Sequence, residues 1–326
     1  MHNPRHTRER VERQCRHSQH GAVSRLAKTV GVRLGLLFWV VMALEAEEIL
    51  PDYMIPLVDD AAKMSIAVYN QDQQMMDNLR EEGWELFGRP GSLPSGLDYG
   101  VWGRRLANGK KEVFVVFGGT ASGADAAADL GQSLDGPEST WQYQDALALA
   151  ASFVARADKD PNLTVKFAGH SLGGGLAQYV GLELGVQAIT FNAAPIQWWT
   201  PKAMLQTFLR QKNRRAQRDV AANNVYNIRL RGDLVSSPPS PGRQYGRRLE
   251  FDAVKRATGQ WTGDYRAHDV RVLLEAFQAV YSATGSRSGT PDVGGGAERG
   301  GVFAGIEINE ADFATRRQSL PGTRDK

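Results

Sequence analysis

Leu163-Thr-Val-Lys-Phe-Ala-Gly169-His-Ser171-Leu-Gly173-Gly-Gly-Leu-Ala177 is the stretch from which the fold can be read. Residues 163–168 are short and mostly apolar, as a buried strand requires. Gly169-His170-Ser171-Leu172-Gly173 then gives the G-x-S-x-G pattern, and the residues from 171 to about 184 read as a helix. A serine between such a strand and helix sits on a turn too tight for ordinary side chains. The flanking glycines remove the clashes that a Cβ would cause. Its hydroxyl would then stand above the sheet edge at a helix N-terminus, where the dipole favours developing negative charge. Ser171 is the expected nucleophile.

Outward from this turn, strand and helix patterns alternate. Residues 55–70 read as a helix, 99–106 and 112–117 as strands joined through Asn108-Gly109, and 139–157 as a long helix with an apolar stripe. Strands follow at 188–191 and 225–230. Thr200-Pro201 marks a helix start, and 268–281 a final helix. This order predicts an α/β fold: a mostly parallel central sheet, helices on both faces and an antiparallel N-terminal hairpin. A last apolar patch, 302–308, would add an edge strand.

A serine hydroxyl needs a general base to act at neutral pH. The histidines are His2, His6, His17, His20, His170 and His268. Four lie in an N-terminal arm, and His170 adjoins the nucleophile in a turn where neighbouring side chains point apart. His268 remains as the base, and it lies C-terminal to the serine, as the order Ser, acid, His requires. The acid should follow a strand between the two. Asp233, after the strand at 225–230 and Gly232, fits best. Asp264 and Asp269 are rivals placed close to His268, where they would shape its loop or cap its helix; Asp219 and Asp252 are more remote alternatives. Two donors are needed for the oxyanion. The backbone N–H of Leu172 is one, and Thr120, closing Val115-Val-Phe-Gly-Gly-Thr120, offers an N–H and an O–H as the other. This chemistry uses no cofactor and no metal.

The 326 residues carry 39 Lys+Arg against 36 Asp+Glu, a net +3. Residues 1–33 hold eight of the basic residues against Glu9 and Glu12, leaving 31 basic and 34 acidic elsewhere. The excess therefore belongs to the arm, and nucleic acid is not an expected partner. A lone Cys15 excludes an intrachain disulfide and a multi-cysteine zinc site. Leu34 to Leu44 is uncharged, shorter than the roughly 18–20 residues of a membrane span but within the about 7–15 of a signal core. An export signal with cleavage near Ala46 is expected, translation starting near Val30 or Val32; a membrane anchor or buried helix is the alternative. The domains then run 1–46 (basic arm and signal-like segment), 47–282 (catalytic domain) and 283–326 (Gly-rich linker and tail).

Val-Val-Phe-Gly-Gly-Thr120, Gly169-His-Ser-Leu-Gly-Gly-Gly-Leu-Ala177, Phe191-Asn-Ala-Ala-Pro195 and Asn227-Ile-Arg-Leu-Arg-Gly-Asp233-Leu-Val together resemble the class 3 (fungal-type) lipase family, in its bacterial phospholipase-like branch of the α/β-hydrolase superfamily. The resemblance spans roughly residues 55–282. It implies hydrolysis of lipid esters by a Ser171–Asp233–His268 triad with Thr120 and Leu172 as oxyanion donors. The sequence departs from many members in lacking an arginine before the glycines of Gly118-Gly119-Thr120, and the segment holding Pro195 varies among branches. Trp198, Trp199, Met204 and Phe208, ahead of the basic run Arg210–Arg218, are candidates for acyl or membrane contact. A core-packed helix with a solvated basic face is the plainer reading of that stretch. A lipid ester substrate with transient contact to a lipid surface is expected. The alternatives are a non-catalytic lipid- or protein-binding module on the same fold, and an acyltransferase.

Overall fold

In the computed structural model the chain divides into two units, Met1–Ile49 and Leu50–Lys326. The structure describes residues 50–70, 72–87, 91–93, 95–119, 137–196, 223–236, 244–252 and 267–283, all in the second unit. The strands are β1 (Glu85–Leu86), β2 (Gly91–Ser92), β3 (Asp98–Arg105), β4 (Lys111–Phe117), β5 (Leu163–His170), β6 (Ala188–Phe191), β7 (Val225–Leu230) and β8 (Arg247–Phe251). The helices are α1 (Met54–Asn70), α2 (Gln73–Glu81), α3 (Pro137–Ala157), α4 (Leu172–Leu184) and α5 (Val270–Ala283).

All eight strands form one sheet in the order β1-β3-β4-β5-β6-β7-β8, with β2 also paired to β3. Pairing is antiparallel up to β4 and parallel from β4 to β8. The expected mostly parallel sheet with an antiparallel start is thus present. The β3–β4 connection is longer than a two-residue turn. Leu106 N–H donates to the Lys110 carbonyl at 2.8 Å, and Asn108 Oδ1 accepts from Lys110 N at 3.0 Å, with Gly109 at φ +78°. Asn108 folds its side chain onto the backbone, and glycine takes the left-handed position.

The parallel strands are apolar on both faces because both are covered. Along β4, Val113, Val115 and Phe117 pack with α3 and α4 through Phe153, Leu176 and Tyr179. Phe114 and Val116 point the other way, into a core with Met54, Val58 and Ala61 of α1 and Leu273 and Ala276 of α5. One polar seam crosses the second layer. Arg104 lies 3.0 Å from Asp60 and 2.9 Å from Glu112, and Lys166 lies 2.8 Å from the other Glu112 oxygen. Arg104 also stacks 4.2 Å over the Trp84 ring. Burial raises the Asp60 carboxyl to about 7 despite Arg104 beside it.

β4, β5, β6 and β7 end on the same edge, at Phe117, His170, Phe191 and Leu230. The carboxyl ends of parallel strands are where such sheets place their chemistry. Among the described residues no helix is long and apolar enough to cross a membrane. The apolar run at 34–44, the helix start expected at Thr200 and the patch at 302–308 lie outside the described residues.

Candidate active site

Ser171 directly follows β5 and caps α4 with φ 57° and ψ −124°. Such a conformation costs a side-chain-bearing residue about 1–3 kcal/mol and persists only where its surroundings enforce it. The enforcement is visible. Ser171 N–H donates to Phe191 O at 3.1 Å, and Ser171 O accepts from Ala194 N at 2.9 Å and Gly175 N at 3.1 Å. A Cβ on Gly169 would stand 2.4 Å from the Gly173 carbonyl, and one on Gly173 would stand 2.1 Å from Phe117 O. The G-x-S-x-G glycines therefore serve close backbone approach, between the turn and α4 and between α4 and the end of β4.

Ser171, His268 and Asp233 meet in one hydrogen-bonded line. His268 Nε2 lies 2.8 Å from Ser171 Oγ, and His268 Nδ1 lies 2.9 Å from Asp233 Oδ1. A buried carboxylate can only accept, so Nδ1 carries the proton and Nε2 is free to take one from the serine. Ser171 and Asp233 are 3% and 1% exposed, whereas 19% of the His268 side chain reaches the surface. The imidazole is the most exposed of the three.

Asp233 stays charged although buried. Its Oδ2 accepts from Ser236 N at 2.9 Å and from the Ser236 hydroxyl, and Oδ1 accepts from Val235 N at 3.3 Å. Burial raises its pKa, but the His268 and Ser236 bonds outweigh burial and hold it below the usual carboxylate range. Arg229 fixes the turn from below, donating 2.9 Å to Ser236 O and pairing with Glu250 of β8. The rival Asp269 caps its own helix, accepting from Arg271 N at 2.9 Å, and Asp252 pairs with Arg231 at 3.2 Å. Asp219 and Asp264 lie outside the described residues.

Leu172 is the first residue of α4, so its N–H has no carbonyl within the helix. The helix N-terminus and the end of β4 touch at Gly173, where an added Cβ would stand 2.1 Å from Phe117 O and 2.7 Å from Gly118 O. Thr120 itself lies outside the described residues, as do Trp198, Trp199, Met204 and Phe208. Among the described residues one carboxylate group, Asp59, Asp60 and Glu82, is close enough to hold a cation. Lys63 at 2.7 Å from Asp59 and Arg104 at 3.0 Å from Asp60 already neutralise it.

Three contributors were not expected from sequence. Ser236 stands at the Asp-x-x-Ser spacing that lets an aspartate accept from the chain ahead, a signal present at residues 233–236. Asn192 follows β6 with φ 42°, a conformation asparagine tolerates better than most residues. His170 is buried, and its ring lies 4.7 Å from that of His268.

Residues 60–239 match the family model for a Tle-like phospholipase domain. That span includes Ser171 and Asp233 and ends before His268. Over 153 residues the chain is 35% identical to the extracellular phospholipase A1 of Serratia liquefaciens, a match covering 46% of this chain and 44% of that protein. The chain thus spans less than half the length of that relative. Among solved structures, lipase II from Rhizopus niveus is 16% identical at a TM-score of 0.42, covering 65% of this chain and 84% of that one. A native Rhizomucor miehei lipase propeptide complex is 14% identical at 0.40, covering 75% and 83%.

Proposed function

The chain belongs to the family of Tle-like phospholipase domains, and from that premise we propose that it hydrolyses carboxylic esters of acyl lipids through an acyl-enzyme on Ser171. The observation that carries this reading is the bridging of Ser171 and Asp233 by His268, at 2.8 and 2.9 Å. Ser171 Oγ attacks the ester carbonyl while its proton passes to His268 Nε2. The carbonyl oxygen becomes an oxyanion, held by the Leu172 N–H and by Thr120. Asp233 stabilises the imidazolium and keeps the ring in the productive tautomer. Collapse of the intermediate breaks the ester C–O bond, and His268 returns the proton to the leaving alcohol. Water then gives a proton to His268 and attacks the acyl carbon. The fatty acid leaves and Ser171 regains its proton.

The substrate class follows the family and the Serratia relative, a phospholipase A1 by name: a phospholipid is favoured over a small soluble ester. That relative is also extracellular by name, which together with the basic arm and apolar run supports export and a catalytic domain covering 47–282. Trp198, Trp199, Met204 and Phe208 belong to this reading as the acyl or lipid-surface contact. Mixed phospholipid and triglyceride vesicles, followed by mass analysis of products, test it. Free fatty acid plus lysophospholipid is the expected product set; fatty acid from triglyceride alone would move the assignment to a neutral lipase, and no release from either would reject it.

A further inference from the structure

Ser171 and Asn192 are the non-glycine residues with positive φ among those described. They stand at the ends of β5 and β6, adjacent strands, and strained backbone held at such a place points to a working role. Asn192 is fully buried, and its side chain bridges two segments far apart in sequence. Its Nδ2 donates to Ala267 O at 2.8 Å, and its Oδ1 accepts from Leu230 N at 2.9 Å. Leu230 ends the strand that leads to Asp233, and Ala267 precedes His268. On either side of Asn192, Phe191 O and Ala194 N hold the Ser171 turn. One short segment thus contacts the nucleophile turn, the acid strand and the base turn together.

The neighbouring carbonyl has its own donor. His170 Nε2 lies 2.6 Å from His268 O, and since a carbonyl only accepts, the proton is on Nε2. Burial, with His268 alongside, pushes the His170 pKa down to about 3, so this ring is a neutral, constant donor wherever the enzyme works. Consecutive carbonyls, Ala267 and His268, are therefore gripped by side chains from consecutive strand ends.

We propose that His170 and Asn192 are positioning residues that fix the backbone of the His268 turn, so that one imidazole reaches Ser171 and Asp233 at once. The inference rests on reading Ser171, His268 and Asp233 as the triad. Neither side chain meets the reacting atoms. Their removal should lower kcat and leave KM alone, because a displaced base slows proton transfer and leaves the acyl-binding surface unchanged. A purely structural role would lower the folded fraction without changing kcat per folded molecule.

The test uses the full chain on a soluble ester, with kcat and KM expressed per folded molecule from near-ultraviolet circular dichroism. His170→Phe keeps the flat ring and removes the donor; His170→Gln restores an N–H at a similar reach. Asn192→Gly suits the left-handed backbone and removes both side-chain bonds. The expected result is a kcat about tenfold or more below wild type in His170→Phe and Asn192→Gly, with KM little changed and His170→Gln within a few-fold of wild type. Wild-type kcat in His170→Phe or Asn192→Gly, or equal damage in His170→Gln and His170→Phe, would overturn the proposal. Ser171→Ala and His268→Ala separate the two failures. If both lose activity while the positioning variants keep it, only the positioning role falls. If both keep activity, the triad reading falls and the positioning role with it.

Discussion

His268 Nε2 lies 2.8 Å from Ser171 Oγ although 97 residues of chain separate the two. Nothing local brings them together. Ser171 is placed by the β5–α4 turn, and His268 by a segment entering α5 on the opposite face of the sheet. The contact exists because both faces of the sheet are packed and both segments close at the carboxyl edge.

Asp233→Asn tests the tautomer argument. An amide can donate as well as accept, so it no longer dictates that His268 Nδ1 carries the proton. The expected loss in kcat is on the order of 10⁴-fold with little change in KM, read from steady-state hydrolysis of a soluble ester.

Ser236→Ala removes the hydroxyl donor from Asp233 and leaves the backbone donors. Asp233 has a depressed folded-state pKa, so its contribution to stability is present above the ordinary carboxylate value and lost as pH falls through the folded one. Weakening its bonds raises the folded pKa and shrinks that contribution. Acid unfolding of Ser236→Ala should therefore begin at higher pH than in the wild type, as followed by circular dichroism.

Asp60 carries the opposite sign. Its folded pKa is raised from 3.8 to about 7, so the folded state holds a proton that the unfolded chain has released. Stability from this group is greatest below the unfolded value and declines as pH rises through that interval. Asp60→Asn removes the titration while keeping an acceptor for Arg104. The difference between wild-type and Asp60→Asn urea midpoints should slope across this window and level off above it.

Leu234 follows Asp233, the proposed triad acid, and is 69% exposed. If the site takes acyl lipids as proposed, an exposed leucine beside it is suited to insert at the lipid surface. Burying such a side chain is worth at most about 1.5–3 kcal/mol, so Leu234→Ser should raise the apparent KM on phospholipid vesicles by a few-fold to about tenfold. Hydrolysis of a soluble ester by the same variant should stay at wild type.

The strands and helices with strong apolar patterns were legible in the sequence: β6 and β7 occupy the expected 188–191 and 225–230. β5 runs two residues beyond its apolar segment, through Gly169 and His170, because those residues keep their ladder with Thr190 and Phe191 of β6. β8 was hidden because Arg247-Arg-Leu-Glu-Phe251 carries only Leu249 and Phe251 inward, among charged residues of which Glu250 pairs with Arg229 and Arg231. α2 was hidden for a similar reason: in Gln73–Glu81 only Leu79 is buried, and the helix depends on Asp72 accepting from Met75 N. At the site, the residue types required by the chemistry could be read directly. The residues that hold them could not, because Asn192 and His170 act through carbonyls 75 and 98 residues away, and a backbone acceptor leaves no residue-specific mark.

Ser171 as the nucleophile of a lipid ester hydrolase makes the sharpest demand on experiment. It is tested most directly by treating the full chain with a long-chain alkyl fluorophosphonate, mapping the adduct by peptide mass spectrometry, and assaying Ser171→Ala on phospholipid vesicles. A single adduct on the Ser171 peptide is expected, with a rate in Ser171→Ala at least about 10⁴-fold below wild type. Phospholipid hydrolysis at the wild-type rate in Ser171→Ala, or an adduct on another residue whose loss abolishes activity, would contradict it.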